Sequence, residues 1–187
     1  MTDGGYLTNQ LLIAMPSMGD PNFAQTVALV CDHSSQGALG LILNKPLPMR
    51  MAEVFEQLEI SIDDGPLSGR KVLRGGPMQT DRGFVVHPAW GEWDSTLKVS
   101  DTLHVTTSRD ILAAMARGEG PGDAVVALGY AGWDGGQLEE EIRANAWLSA
   151  PVDSAIIFEL PFESRWHAAG RLLGVELDRI STLYGNA

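Results

Sequence analysis

A glycine-rich turn joins a β-prone run to a helix-forming run across residues 129–148, GYAGWDGGQLEEEIRANAWL. No other stretch restricts the fold so tightly. Gly132, Gly135 and Gly136 open backbone conformations closed to other residues and let a neighbouring group approach the main chain. Asp134 and Gln137, three positions apart, read as a capping box that starts the helix. Within it, Leu138, Ile142 and Ala146 recur at i, i+4 spacing and are expected to bury, leaving Glu139 and Arg143 as an exposed pair. Glu139, Glu140 and Glu141 fall in the first turns, where free N–H groups stabilise carboxylates and where the carboxylates repel a bound phosphate. Trp133, in an exposed-looking position, Gln137 and Asn145 have no role in that packing scheme. With Gly132 they mark a candidate surface for a ligand or partner.

The rest of the chain alternates short strands and helices. Residues 11–15 form an apolar strand closed by Pro16. Residues 26–31 (TVALVC) and 38–43 (ALGLIL) are β-branched or apolar and pair as a hairpin across a loop of several residues, with Asn44-Lys45-Pro46 ending the second strand. Over residues 51–60, Met51, Val54, Phe55 and Leu58 make one side of an amphipathic helix. Strands follow at 71–74, at 83–87, around 103–107 and at 123–130, with Ser108 capping a helix over 110–117. The apolar run 155–160 and a helix near 164–173 complete the chain. Strand pairs come early and helices late, so the expected fold is α+β. Residues 1–187 are read as a single domain with a mixed, largely antiparallel sheet flanked by helices. Closure into a flattened, partly open barrel is the alternative.

The formal net charge of −11, with 13 Lys and Arg scattered along the chain, opposes direct nucleic-acid binding, which needs clustered cations. The single cysteine excludes an internal disulfide framework and fits a reducing cytosol. Residues 1–10 carry no basic leader pattern, and the apolar run 11–15 is too short to span a bilayer. A soluble cytoplasmic protein without membrane association is expected.

Strand alternation puts Val27, Leu29, Cys31 and His33 on one face, with Ala28, Val30 and Asp32 on the other. A thiol needs a nearby cation or base to become a nucleophile, which makes Cys31 and His33 the candidate catalytic pair. A small buried thiol and a strand-end imidazole are the structural alternative. The four histidines sit in separate segments and no CxxC or HExxH pattern is present, so no metal or cofactor is expected. Arg74-Gly75-Gly76-Pro77 reads either as an anion cradle or as a tight turn ending a strand.

The motifs AMPSMGDPNF, VCDHSSQGALGLILNKP, RGGP with RGFVVHP, TTSRDIL and GYAGWDGGQLEEEIRANAWL occur in that order. Together they resemble the YqgE/AlgH family of bacterial proteins, from about Leu11 to residues 184–187. The resemblance implies a compact α/β domain with a mixed, partly barrel-like sheet, in a family whose molecular activity is not established. One branch of the family is linked to transcriptional control of alginate production, which would suggest a regulator, and family genes often lie beside one for a Holliday-junction-resolvase-like protein, which implies shared context without naming a reaction. Nothing in the chain resembles a helix-turn-helix. The family pattern falls on Cys31, His33, Gly37, Gly40, Asn44 and Pro46, on Gly75, Gly76, Pro77, Gly83 and His87, and on residues 129–145. Asp32 stands where an acidic residue, often glutamate, is usual, and Asp134 fills a variable position. The expected function is a ligand- or protein-binding regulatory module, with Asn44, Arg74, Gly75, Gly76, His87, Gly132, Trp133, Gln137 and Asn145 as candidate contacts. The alternative is a thiol-dependent or hydrolytic enzyme using Cys31 and His33. The partner is an unspecified protein or small molecule, and oligomeric state is left open.

Overall fold

A computed structural model describes residues 5–63 and 65–180, so expectations placed on residues 1–4 and 184–187 lie outside it. The strands are β1 (Gln10–Ala14), β2 (Val27–Ser34), β3 (Gly37–Ile42), β4 (Pro46–Arg50), β5 (Lys71–Arg74), β6 (Met78–Pro88), β7 (Thr96–Lys98), β8 (Leu103–Thr106), β9 (Val125–Asp134) and β10 (Trp147–Pro151). The helices are α1 (Met51–Gln57), α2 (Arg109–Ala116), α3 (Gln137–Arg143), α4 (Ser154–Phe158) and α5 (Arg165–Leu172), with a 3-10 turn at Phe162–Ser164 before α5.

Pairing follows the order β10-β1-β2-β3-β9-β6-β8-β7, and β4 and β5 form an antiparallel pair beside β9. Every described pairing is antiparallel except β5 with β9. The result is the expected α+β class, a curled, largely antiparallel half-barrel flanked by helices.

Period-two alternation sorts the apolar side chains onto two faces. One face carries Leu11, Ile13, Leu29, Leu41, Leu73, Phe84, Val86 and Ala127, and is closed by Ile156 and Ile157 of α4 and by Trp166 and Ala169 of α5. The other face holds two separate cores. Val72, Val85 and Val126 pack under Met51, Val54 and Phe55 of α1 and Ile111, Leu112 and Met115 of α2. Leu12, Ala28, Val30, Ile42, Ala131 and Trp133 pack under Leu138 of α3 and against Trp147. Long β9 runs through both: Val126 belongs to the first core of this face and Ala131 to the second.

The alternation changes phase inside β9, where Gly129 takes φ +79°. At this point Gly75 and Gly76 cross close to β9: a Cβ on Gly75 would collide with the Gly129 carbonyl, and one on Gly76 with the Tyr130 backbone. The glycine pair is therefore a backbone crossing, with the Gly75 N–H donating to the Leu128 carbonyl at 2.8 Å and its own carbonyl accepting from Ile42 at 2.8 Å.

Several expectations are corrected. The hairpin from β2 to β3 closes through Ser35 and Gln36 alone, because both strands extend further than their β-branched runs. Asn44-Lys45-Pro46 does follow the end of β3, but it leads directly into β4, a strand the apolar pattern does not show; proline is tolerated there because β4 pairs on one side only. Strands β7 and β10 were not foreseen, and the apolar run 155–160 falls mostly in α4, whose N-terminus is capped by the Asp153 carboxylate accepting from the Ile156 N–H at 3.2 Å. The start of α3 also differs. Its N-cap is Gly136, while Gln137 Oε1 accepts from the Asp134 N–H at 2.9 Å, the reach-back half of the expected capping box.

Candidate functional site: a groove between α1 and α2

The catalytic expectation rested on Cys31 and His33 sharing a face, and a β-bulge separates them. Val30 pairs with Gly40 and Asp32 with Leu39, so Cys31 is the extra residue of β2 and the alternation shifts beyond it. Cys31 points into the core closed by α4 and α5, at 1% exposure, with its thiol donating to the Leu29 carbonyl at 3.8 Å. Burial, and secondarily the charge of Asp32, push the thiol well above its ordinary range. That is the reverse of what a nucleophile needs.

His33 instead pairs with Ala38, which packs in the α3 core. The Leu7 N–H donates to His33 Nδ1 at 2.9 Å, so the ring proton sits on Nε2 and donates to Glu139 Oε1 at 2.8 Å. This corrects the exposed Glu139–Arg143 pair. Glu139 is held ionised by the His33 hydrogen bond, and its pKa lies below the ordinary glutamate value for that reason first.

The corner at residues 129–148 is likewise consumed by its own packing. Trp133 is 6% exposed, against the exposed-looking position expected, and its indole N–H donates to Glu141 Oε1 at 3.1 Å. The Trp147 indole donates to the same oxygen at 3.0 Å, and Gln137 Nε2 donates to Glu141 Oε2 at 2.8 Å. One carboxylate thus satisfies two buried indoles and anchors the first turn of α3. Asn145 follows the last turn of α3 with φ +61°, the left-handed conformation that asparagine accepts more readily than most residues. Gly132 leaves space for the Met78 sulfur, which would lie 2.7 Å from an added Cβ.

The remaining candidates are placed apart from one another. Asn44 is buried and ties the end of β3 to the start of β2, accepting from the Val27 N–H at 3.0 Å and donating to the Gln25 carbonyl at 2.8 Å. Arg74 is exposed and donates to Asn22 Oδ1 at 3.0 Å. His87 is fully buried; its Nδ1–H donates to the Pro88 carbonyl at 2.8 Å, leaving bare Nε2 to accept from the Thr106 hydroxyl at 2.7 Å. Burial lowers the His87 pKa and keeps the ring neutral. A hydroxyl on a neutral imidazole is the first half of a hydrolytic dyad, and sequence reasoning did not pair these two residues. Thr106 has no exposed surface, however, and its oxygen also accepts from Thr96 at 2.8 Å. Thr106 borders the groove between α1 and α2, but the residue presents no exposed surface for attack.

Concave surface lies elsewhere, over the sheet between α1 and α2. Met49 of β4, Val54 and Leu58 from α1 and its cap, and Leu112 of α2 wall a groove of about 330 Å³ floored by Val85 and Val126. Its polar lining comes from Thr80 and Asp81 of β6 and from Ser108 and Arg109 at the start of α2. Arg109 Nη2 donates to the Leu58 carbonyl at 2.8 Å, fixing α2 to the end of α1, while the rest of its guanidinium has no partner among the described residues. The Asp81 carboxylate and Thr80 hydroxyl have no hydrogen-bond partner among the described residues. Gly83 lies in the groove, with only Leu128 Cδ2 near an added Cβ, at 3.9 Å. Among the described residues, no three His, Cys, Asp or Glu side chains are grouped to hold a metal ion, and no helix is long and apolar enough to cross a membrane.

Fold and packing together define the class: an α+β half-barrel with both sheet faces covered and a groove over one of them. The chain belongs to the AlgH-like family, whose DUF179 model matches residues 11–178. It is 51% identical over 187 residues to a UPF0301 protein of Thioalkalivibrio sulfidiphilus, covering 100% of both chains. A UPF0301 protein of Stenotrophomonas maltophilia is 49% identical over 180 residues, 96% of each chain. The solution structure of AlgH from Pseudomonas aeruginosa matches with a TM-score of 0.81 at 47% identity, covering 100% of this chain and 97% of that one. A Corynebacterium diphtheriae protein shares the fold at 22% identity, with a TM-score of 0.73 over 97% of this chain and 94% of that one.

Proposed function

We propose that this protein is a small-molecule binding module with a regulatory role, and that its ligand is a largely apolar molecule with one polar end seated in the α1–α2 groove. The observation that carries this reading is the groove itself: apolar walls enclosing about 330 Å³, with unpartnered donor and acceptor groups in its lining. That combination of size and lining is usual for ligand pockets, which span roughly 300–1,000 Å³. Asp81 and Arg109, both lining the groove, suit a polar end that both donates and accepts. A cytoplasmic setting belongs to the same reading, supported by a lone cysteine sealed in the core. The net charge of −11 supports a regulatory route through a ligand or protein partner over direct DNA contact.

The test is a ligand-observed NMR screen of a mixed metabolite library against the wild type and Gly83→Leu. A leucine there fills the groove from a position where an added Cβ meets nothing closer than 3.9 Å. Hits that compete with one another and vanish in the folded variant are expected; hits that bind both proteins equally would move the site away from the groove. The thiol-enzyme alternative is checked separately by alkylation of Cys31. Modification is expected only on the timescale of unfolding, slowed roughly a thousandfold or more relative to the denatured chain. Fast, pH-independent modification of the native protein would reopen that alternative.

A further inference from the structure

Arg165, the first residue of α5, is 3% exposed and forms no ion pair among the described residues. Its Nε–H donates to the Leu160 carbonyl at 2.9 Å, and Nη1 donates to Leu43 at 3.0 Å and Ile157 at 2.8 Å. The ring of Phe162 lies 4.7 Å from the guanidinium carbon. These bonds use three of the five guanidinium donors and supply only dipoles as counter-charge. Both Nη2 hydrogens have no partner among the described residues, yet Nη2 is not among their sealed, unsatisfied buried atoms, so it reaches open space. Arg165 lines a cavity of about 430 Å³ together with Arg70 and Lys71 from the entry to β5 and with Phe162 of the 3-10 turn. Lys71 has no side-chain partner among the described residues, and Arg70 spends one N–H on the Ala124 carbonyl at 3.3 Å.

A buried cation without an anion is costly, and no acidic side chain among the described residues forms an ion pair with this one. Desolvation lowers the Arg165 pKa only to about 10, so it stays charged at neutral pH. We infer that this cavity binds a small oxyanion group, carboxylate or phosphate, received end-on by Arg165 Nη2 and flanked by Arg70 and Lys71. Fork-on-fork pairing is excluded because Nε and Nη1 are already committed to carbonyls. Asp123, Glu159 and Glu163, all exposed, stand at the same cavity. They oppose densely charged anions and favour a ligand whose remaining body is neutral or cationic.

The test is a titration of the full chain with inorganic phosphate at fixed ionic strength, read at the Arg165 Nε–H in proton–nitrogen spectra, with acetate in a parallel arm. Arg165 itself is left in place, because three carbonyls depend on it. A saturable shift is expected, weakened about threefold in Lys71→Ala and strengthened about as much in Glu159→Gln, both exposed positions where charge effects are modest. Saturation by acetate alone assigns a carboxylate ligand, and saturation by phosphate alone a phosphate ligand. A shift absent from both arms, or one that never saturates, or one unmoved by either substitution, overturns the site.

Discussion

The corner at residues 129–148 and the groove between α1 and α2 both set polar side chains against apolar surroundings, but they spend them differently. In the corner the two indoles and Gln137 are answered from within: Glu141 accepts from two indoles and from Gln137, and Gln137 accepts from Asp134. At the groove, Asp81 and Thr80 are unanswered among the described residues and Arg109 is only partly used. A distinctive sequence therefore marks where the backbone has to be built in one particular way. Unspent donors and acceptors beside an apolar cavity are what the proposed ligand would use.

The sharpest way to break that contrast is at the glycine crossing beneath the corner. Gly76→Ala forces a methyl group into the Tyr130 backbone, and no side chain can yield to relieve it. A loss of about 4 kcal/mol, or failure to fold, is expected in urea denaturation, because backbone overlap in a packed interior belongs to the most destabilising class of substitutions. A loss below about 1 kcal/mol would show that the crossing has slack, and would restore the glycine pair as a candidate anion cradle.

A matched pair of substitutions comes next in size. Glu141→Ala strands the Trp133 and Trp147 indole N–H groups, both on buried side chains, and is expected to cost about 3 kcal/mol. Asp81→Ala removes a carboxylate with no partner among the described residues and is expected to change stability by no more than about 0.5 kcal/mol while altering ligand capture. Chemical denaturation of both variants measures the difference directly. Equal costs would mean that the groove lining is as structural as the corner.

What was legible in the sequence divides along the same line. The β2–β3 hairpin, α1, α2, β5 and the core of β9 follow from apolar runs with local boundaries, and their faces from alternation or helical spacing. The bulge at Cys31 has no local residue signal, since the shift is fixed by how β2 registers against β3, and it turned a plausible Cys31–His33 pair into a core thiol and an imidazole hydrogen-bonded to α3. β4 was hidden by Pro46 and Pro48, which argue against a strand except at an edge. β10 follows α3 after only a short turn, and Trp147 reads equally well as the end of the helix. The groove was invisible because its walls come from β4, α1, β6, β8, α2 and β9, which only tertiary packing brings together.

The smallest expected effect lies where the corner meets the N-terminal segment. Glu139 accepts from His33 Nε2 at 2.8 Å, and this bond, ahead of the backbone contribution, lowers the Glu139 pKa in the folded protein. A carboxyl group with a depressed folded pKa binds its proton less readily when folded than when unfolded. Its stabilisation is fully present above the unfolded value of roughly 4.3 and is lost as pH falls through that value toward the folded one. The side chain of Glu139 is 35% exposed, so solvent screening keeps the effect modest. Glu139→Gln removes the titration but leaves an amide oxygen to accept from His33, so stability at neutral pH is expected to drop by less than about 1 kcal/mol. Below pH roughly 4.3 the two proteins converge, and the variant's stability falls less steeply with acid. Urea midpoints for both proteins between pH 7 and 3 check this. Parallel curves would mean that His33 and Glu139 touch without energetic coupling, and that the N-terminal segment holds His33 only through Leu7 and Thr8.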